Sequence, residues 1–424
     1  MAAGMKTIVL DDDPTGTQSA TDAVVLLRGG VDALEQVLRE RDSVYVQTNS
    51  RALHEADAVE LVRGIRADGE EAARRLGAEV RFVLRGDSTL RGHVFAETEQ
   101  FLDGDAVMVF LPAFPDGGRT TRGGVHFVRI GDEDLPAAET EYADDPVFPF
   151  ADSALVDYVA AKSGRIAHPV SLDTVRAGGV VDVLVAAKPG EVVVPDAVDA
   201  DDVRHVAAAI AAAEAQGVRV VVRSASPLAA ELAGVASSGL LATPLIPSPA
   251  PTLLVCGSHT AGATAQLAPI VADWGEPAVV DTALALDDPA AAGRAAADEA
   301  ADHVADRGLA IVTTARIRSS EHGTLDHGEK VMAALTTAVR QLLPQVEVVI
   351  SKGGITSAEV ASTGIGATRA VVLGQVLPGV SVWRLTAHDG RELLYVVVPG
   401  NVGGPDTLER VVQSLGLRTS VQTA

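Results

Sequence analysis

Cysteine is nearly absent: Cys256 is the only one in 424 residues. One thiol cannot close an internal disulfide, so nothing in the sequence calls for an oxidising compartment. Aromatic residues are also scarce, at 3% of a chain that is 47% hydrophobic. Its cores are therefore aliphatic, a bias that suits buried parallel strands covered by Ala-rich helices. Cations are outnumbered, with 34 Lys and Arg against 57 Asp and Glu and a net charge of −23. Phosphate backbones and anionic membranes are held by clustered Lys and Arg, so the expectation is no nucleic acid and no membrane partner. Small anionic ligands stay open, because a few Arg in a cleft set the local field.

The first ten residues have no long apolar stretch and run into three Asp, which predicts no signal peptide and a cytoplasmic location. Residues 232–272 carry no Asp, Glu, Lys or Arg, yet Pro244, Pro247, Pro249 and Pro251 interrupt them. They read as a linker leading into a strand, not as a membrane helix. Several motifs are missing as well. There is no G-x-x-x-x-G-K-[ST], no G-x-G-x-x-G, no G-x-S-x-G and no H-E-x-x-H.

What is present is α/β alternation. The length exceeds one ordinary core, which predicts two or three domains. Apolar bursts at 6–10, 44–47, 80–84 and 106–111 read as strands, and 55–76 and 93–102 have helical spacing. The pattern breaks over 112–150, a Gly-, Pro-, Arg- and Asp-rich stretch that reads as a long loop, functional or mobile. It resumes with a strand at 191–194, a helix at 202–215 and a strand at 218–223. Residues 244–251 are the best boundary, dividing 1–243 from 252–424. The second part carries strands at 252–256, 309–313, 347–351, 370–376, 380–384 and 393–398, and a closing helix at 406–415. The fold class expected is α/β with two domains, each a mainly parallel or mixed sheet flanked by helices.

Ligands in such sheets bind beyond the carboxyl ends of strands. Four turns there have unusual residues. Asp11-Asp12-Asp13-Pro14-Thr15-Gly16 crowds three carboxylates, which suggests a cation, a polyol or a general base rather than a simple N-cap. Arg85-Gly86-Asp87-Ser88-Thr89-Leu90-Arg91-Gly92 sets two Arg around Asp, Ser and Thr, a set suited to a ligand with a carboxylate and hydroxyls. Asn49-Ser50-Arg51 adds an Arg at the same edge, and 115–124 offers Asp116, Arg119 and Arg122. Cys256-Gly257-Ser258-His259-Thr260 reads first as a helix N-cap. Ser351-Lys352-Gly353-Gly354-Ile355-Thr356-Ser357 and Pro399-Gly400-Asn401-Val402-Gly403-Gly404 are Gly-rich turns whose N–H groups can cradle phosphate.

In chain order, these segments resemble the four-carbon acid sugar kinase family over nearly the whole length. The family's D-D-x-T-G element looks like Asp12 to Gly16, D-S-R like Asn49-Ser50-Arg51, and D-S-T-L-R-G is Asp87 to Gly92. P-A-F-P…G-R-T-T is Pro112 to Thr121. G-S is Gly257-Ser258, G-G-x-T-S is Gly353 to Ser357, and G-N-x-G is Gly400 to Gly403. Asn49 and Ile355 stand where many members carry a carboxylate.

The resemblance implies a sugar-acid-binding domain at 1–243, a linker at 244–251 and a nucleotide-binding domain at 252–424. It implies phosphoryl transfer from ATP, with Mg²⁺, to the terminal hydroxyl of an acid such as threonate, erythronate or 3-oxo-tetronate. Asp12, Asp13, Arg51, Asp87, Ser88 and Arg91 would hold the acid, with Asp13 or Asp87 as the base. Ser258, Gly353, Gly354, Ile355, Thr356, Gly400 and Asn401 would hold ATP. No metal ligands are assigned, and a homo-oligomer stays open. Two rivals stand beside this reading. Asp11-Asp12-Asp13-Pro14-Thr15 also fits D-x-D-x-T, the pattern of haloacid-dehalogenase-like phosphohydrolases with Asp11 as nucleophile. A non-catalytic sugar-acid sensor is the other.

Overall fold

The computed structural model describes residues 4–315, 325–400 and 402–418, and the chain divides into two compact units, Met1–Ser237 and Ser238–Ala424. The Pro-rich stretch belongs to the second unit, where Leu241, Leu245, Ile246 and Ala250 pack on the core.

In the first unit the strands are β1 (Met5–Asp11), β2 (Val24–Leu26), β3 (Ser43–Gln47), β4 (Glu79–Arg85) and β5 (Val107–Leu111). They continue with β6 (Arg119–Arg122), β7 (Val125–Ile130), β8 (Glu133–Pro136), β9 (Ala167–Val170), β10 (Val192–Pro195) and β11 (Val220–Ser224). Eight of them form a parallel sheet in the order β2-β3-β1-β4-β11-β5-β10-β9. The central strand β1 is buried on both faces from Thr7 to Asp11. Helix Glu55–Leu76 lies close against it. A Cβ at Gly69 would fall within 3 Å of Ile8 and the Phe82 ring, so only glycine permits that approach.

From β1 the chain first builds outward through β2 and β3, then crosses to β4 on the other side. The loops after β1 and β4 leave in opposite directions, and the crevice at such a switch point is where ligands bind.

Two expectations are corrected. Residues 112–150 are not a plain loop: β6, β7 and β8 form an antiparallel sheet, joined at the first corner by Gly123-Gly124, both with positive φ. That two-glycine turn matches the twist of a hairpin. The helix expected at 93–102 spans only Val94–Thr98, because Gln100 and Phe101 bond to the third carbonyl back instead of the fourth.

The second unit adds β12 (Thr252–Cys256), β13 (Ala278–Val279), β14 (Leu309–Thr313), β15 (Val348–Lys352), β16 (Arg369–Leu377), β17 (Val380–Thr386) and β18 (Glu392–Val398). The order is β13-β14-β12-β15-β18-β17-β16, parallel as far as β18 and antiparallel beyond. Both units thus have the expected α/β class. Among the described residues no helix is long and apolar enough to cross a membrane.

Candidate active site

The turns after β1, β3 and β4 meet at the switch point of the first unit. Gly16 lets the first of them fold back: a Cβ there would collide with the Asp11 carboxylate. Arg85, at the end of β4, lies beneath. Its Nη1 donates to Asp11 Oδ1 at 3.1 Å, Asp12 Oδ1 at 3.3 Å and the Asp13 carbonyl at 3.2 Å. Arg223, at the end of β11, donates to Asp12 Oδ2 at 3.3 Å and pairs with Glu97. Arg85 and Arg223 are 3% and 2% exposed and form a buried floor.

Arg51 and Arg91 sit higher, with side chains 22% and 23% exposed. Arg51 pairs with Asp13 and lies 3.5 Å from Asp87. Arg91 Nε donates to Asp87 Oδ2 at 2.8 Å, and its guanidinium lies 3.6 Å from Asp145 and 5.0 Å from the Tyr142 ring centre. Asp87 therefore stands between the two reachable cations. Thr89 also donates to Asp87 Oδ2, and among the described residues Asp87 Oδ1 accepts nothing. Asp13 differs, since its Oδ1 accepts from Thr15 N at 2.8 Å and its Oδ2 from Arg51.

The Asp87 turn is pinned from outside. Leu90 has a φ of +68°, a left-handed position that costs a leucine energy. Its carbonyl accepts from Tyr158 OH at 2.8 Å, and the Ser88 carbonyl from His126 Nε2 at 2.8 Å. Burial pushes His126 down to about 4, so it stays neutral and acts as a strut. The Ser88 hydroxyl has no protein partner among the described residues.

The carboxylates split by environment. Burial raises Asp87, but Arg91 and Arg51 outweigh it and hold the group well below the usual carboxylate range. Burial likewise raises Asp13, and Arg51 and Arg85 bring it below the ordinary value. Asp12 is raised by burial despite Arg51, Arg85 and Arg223. Asp11, at 0% exposure, is pushed up to about 7 by burial, against Arg85 and with help from Asp12 and Asp13. Its Oδ2 is buried without a hydrogen-bond partner.

Asp11 makes the stability of the fold depend on pH. Its folded value lies above the ordinary 3.8. The bound proton therefore stabilises the fold fully below about pH 4, and that contribution is lost as pH rises through about 7. Asp11→Asn should remove this loss, on the order of a few kcal/mol by linkage. Denaturant titrations at pH 4 to 8 should show a smaller decline for the variant than for the parent. Parallel curves would contradict the assignment.

In the second unit the turns after β12, β15 and β18 lie side by side, because those strands are neighbours. Thr260 caps helix Ala261–Trp274 by accepting from Ala263 N at 3.2 Å. A Cβ at Gly353 would lie 3.1 Å from Ser258 Cβ, and one at Gly400 would lie 3.5 Å from Ser258 Oγ. Ser258, Gly353 and Gly400 therefore converge at backbone contact, leaving a cradle that side chains would fill. Gly354 opens helix Gly354–Glu359, Ile355 is 52% exposed, and Thr356 is buried beside Gly257 and Gly353. Asn401 lies outside the described residues.

Some expected residues do not join. Arg122 pairs with Asp134 and covers the Phe127 ring, and Arg119 donates to the Gly117 carbonyl. Conversely, Arg223, Glu97, Tyr142, Asp145, His126 and Tyr158 support the site without having been expected there. The signal for Arg223 was readable: an Arg closing the apolar run Val220-Val221-Val222, as Arg85 closes its own strand.

One unit sets Arg and Asp together at a switch point, and the other brings Gly-rich turns side by side. Residues 7–232 match the model of a sugar-binding N-terminal domain, and residues 253–408 that of a nucleotide-binding C-terminal domain. The chain belongs to the four-carbon acid sugar kinase family, whose class is that of sugar-acid kinases. It is 30% identical to the D-threonate kinase of Bordetella bronchiseptica, over 96% of each chain. It is 26% identical to the 3-oxo-tetronate kinase of Cupriavidus necator, again over 96% of each. Identity to the D-erythronate kinase of Heliobacterium modesticaldum is 32%, over 47% of each. The fold is shared with a solved Haemophilus influenzae protein at a TM-score of 0.64 and 20% identity, over 96% of this chain and 100% of that one.

Proposed function

We propose that this protein transfers the γ-phosphoryl group of ATP to the terminal hydroxyl of a four-carbon sugar acid of the threonate, erythronate or 3-oxo-tetronate type. The observation that carries the reading is Asp87, set between the reachable Arg51 and Arg91 with one carboxylate oxygen unused. Arg51 and Arg91 suit the substrate carboxylate, because a guanidinium fork binds it in two places. Ser88 Oγ suits a substrate hydroxyl, Asp13 orients Arg51 above the floor, and Asp12 is tied to the floor by Arg85 and Arg223. Asp87 Oδ1 is the acceptor for the proton of the attacking hydroxyl, and its ionised state at neutral pH fits that role. Its basicity is low, which suits a loose phosphoryl transfer in which positioning outweighs proton abstraction. Asp13, with both oxygens engaged, is better placed to orient Arg51.

ATP supplies the phosphoryl group. Ser258, Gly353, Gly354, Ile355, Thr356 and Gly400 would hold it, with backbone N–H groups facing the phosphates. Among the described residues no three His, Cys, Asp or Glu side chains are grouped to hold a metal ion, so no protein ligand is assigned to Mg²⁺. The test is ADP formation from ATP and Mg²⁺ with a panel of aldonates and oxo-acids of three to six carbons. Turnover confined to four-carbon acids is the expected result. Binding of an acid without turnover would favour the sensor reading.

A further inference from the structure

Lys352 is the last residue of β15, directly before the Gly353 turn, and it is 0% exposed. Its Nζ donates to the Pro399 carbonyl at 2.6 Å and lies 3.5 Å from the Gly400 carbonyl. One side chain thus ties the turn after β15 to the turn after β18. Among the described residues no carboxylate lies within ion-pair distance of it. A buried ammonium without a counter-ion is costly, and proteins rarely keep one without an anion to meet it.

The geometry also fixes a donor. The Pro399–Gly400 peptide is trans, so its C=O and N–H point to opposite sides. With the carbonyl turned to Lys352, the Gly400 N–H points away from the ammonium, on the turn that lies against Ser258 and Gly353. Losing the ammonium would leave the Pro399 carbonyl without its donor, and the Gly400 carbonyl with Thr260 Oγ1 at 3.5 Å, and release that peptide plane.

We propose that Lys352 is a positioning residue for nucleotide binding: its buried ammonium holds the Pro399–Gly400 turn in the phosphate-binding form and supplies the charge that a polyphosphate neutralises. This rests on the ATP reading above. A second consequence follows. Burial alone lowers Lys352, to about 8, and the one titratable side chain it interacts with is Cys256, which raises it. A bound polyphosphate favours the charged form, so nucleotide binding draws a proton onto Lys352 wherever the free protein has lost it. The sign is definite. Affinity is full below about pH 8 and falls by up to tenfold per pH unit above it, through loss of one proton.

The experiment is calorimetric titration of the full-length protein with ATP, at pH 7 to 9.5, in buffers of different ionisation enthalpy. The parent should take up protons on binding at pH 8 and above, and lose affinity with rising pH. Lys352→Met should show neither effect. At pH 7 it should bind ATP on the order of tenfold more weakly, the loss of one charge-assisted hydrogen bond, with the KM for the acid unchanged. Proton-free, pH-flat binding by the parent would overturn the proposal while leaving the kinase reading intact. No ATP binding by the parent at any pH would overturn the kinase reading itself. If Lys352→Met does not fold, proton uptake by the parent decides alone.

Discussion

Asp87→Asn should lower kcat by roughly 10²- to 10⁴-fold, the usual contribution of a positioned acid–base group. The variant keeps the size of the side chain and removes the charge and the proton acceptor. Asp87 is the residue on which Arg51, Arg91 and Thr89 converge, and unlike Asp13 it keeps an oxygen that accepts nothing among the described residues. The KM for ATP should stay within about twofold, because the Gly turns belong to the other unit. Asp13→Asn should behave differently. Its oxygens serve Thr15 and Arg51, so its loss should raise the KM for the acid more than it lowers kcat. Steady-state kinetics on both variants check this. Equal kcat in Asp87→Asn and the parent would remove the base role from Asp87.

Arg85→Met should cost about 3–5 kcal/mol of stability, the usual result of removing one partner from a buried ion pair. The single Nη1 of Arg85 meets Asp11, Asp12 and the Asp13 carbonyl, all at 3% exposure or less. Methionine fills much of the volume but takes the Arg85 donor from Asp11, and leaves Asp12 with Arg223 and the Asp13 carbonyl with the Gly16 N–H. The loss should grow with pH. Asp11 and Asp12 are already raised by burial, and without Arg85 both rise further. Near pH 5 they can take protons and the penalty shrinks, whereas at pH 8 the folded state must carry their charge. Urea midpoints of parent and variant at pH 5 and 8 measure the difference. A penalty independent of pH would mean that packing, not charge, is what Arg85 provides.

Much of the fold was legible because its strands are short aliphatic runs with sharp ends. Thr252–Cys256, Leu309–Thr313 and helix Glu55–Leu76 fall where periodicity puts them. The hairpin at Gly123-Gly124 carried a readable signal, but Arg, Gly and Pro around it hid the alternation Thr121, Val125, Phe127. The short strand β2 has three residues, too few for any period to show.

The site was legible wherever its residues sit in a single turn, as Asp87 to Gly92 do. It was not legible where partners come from distant segments. Glu97 and Arg223 meet across 126 positions of sequence. Tyr142 and Asp145 reach Arg91 from a stretch whose fold was misread. The sequence also treats Asp13 and Asp87 alike. Only hydrogen-bond partners separate them, one with both oxygens engaged and one with an oxygen to spare.

The acidic turn after β1 carries the sharpest contrast with the hydrolase reading. Asp11 is fully buried, pushed toward its neutral form and held against Arg85 and Gly16, a poor setting for a nucleophile. The central claim is transfer to an alcohol, and ³¹P NMR of the reaction with ATP, Mg²⁺ and each four-carbon acid tests it most directly. The expected product is a phosphomonoester whose signal is split into a triplet by the two protons of a terminal CH₂, appearing together with ADP. ADP and inorganic phosphate with no phosphomonoester, or phospho-aspartate at Asp11, would contradict the account.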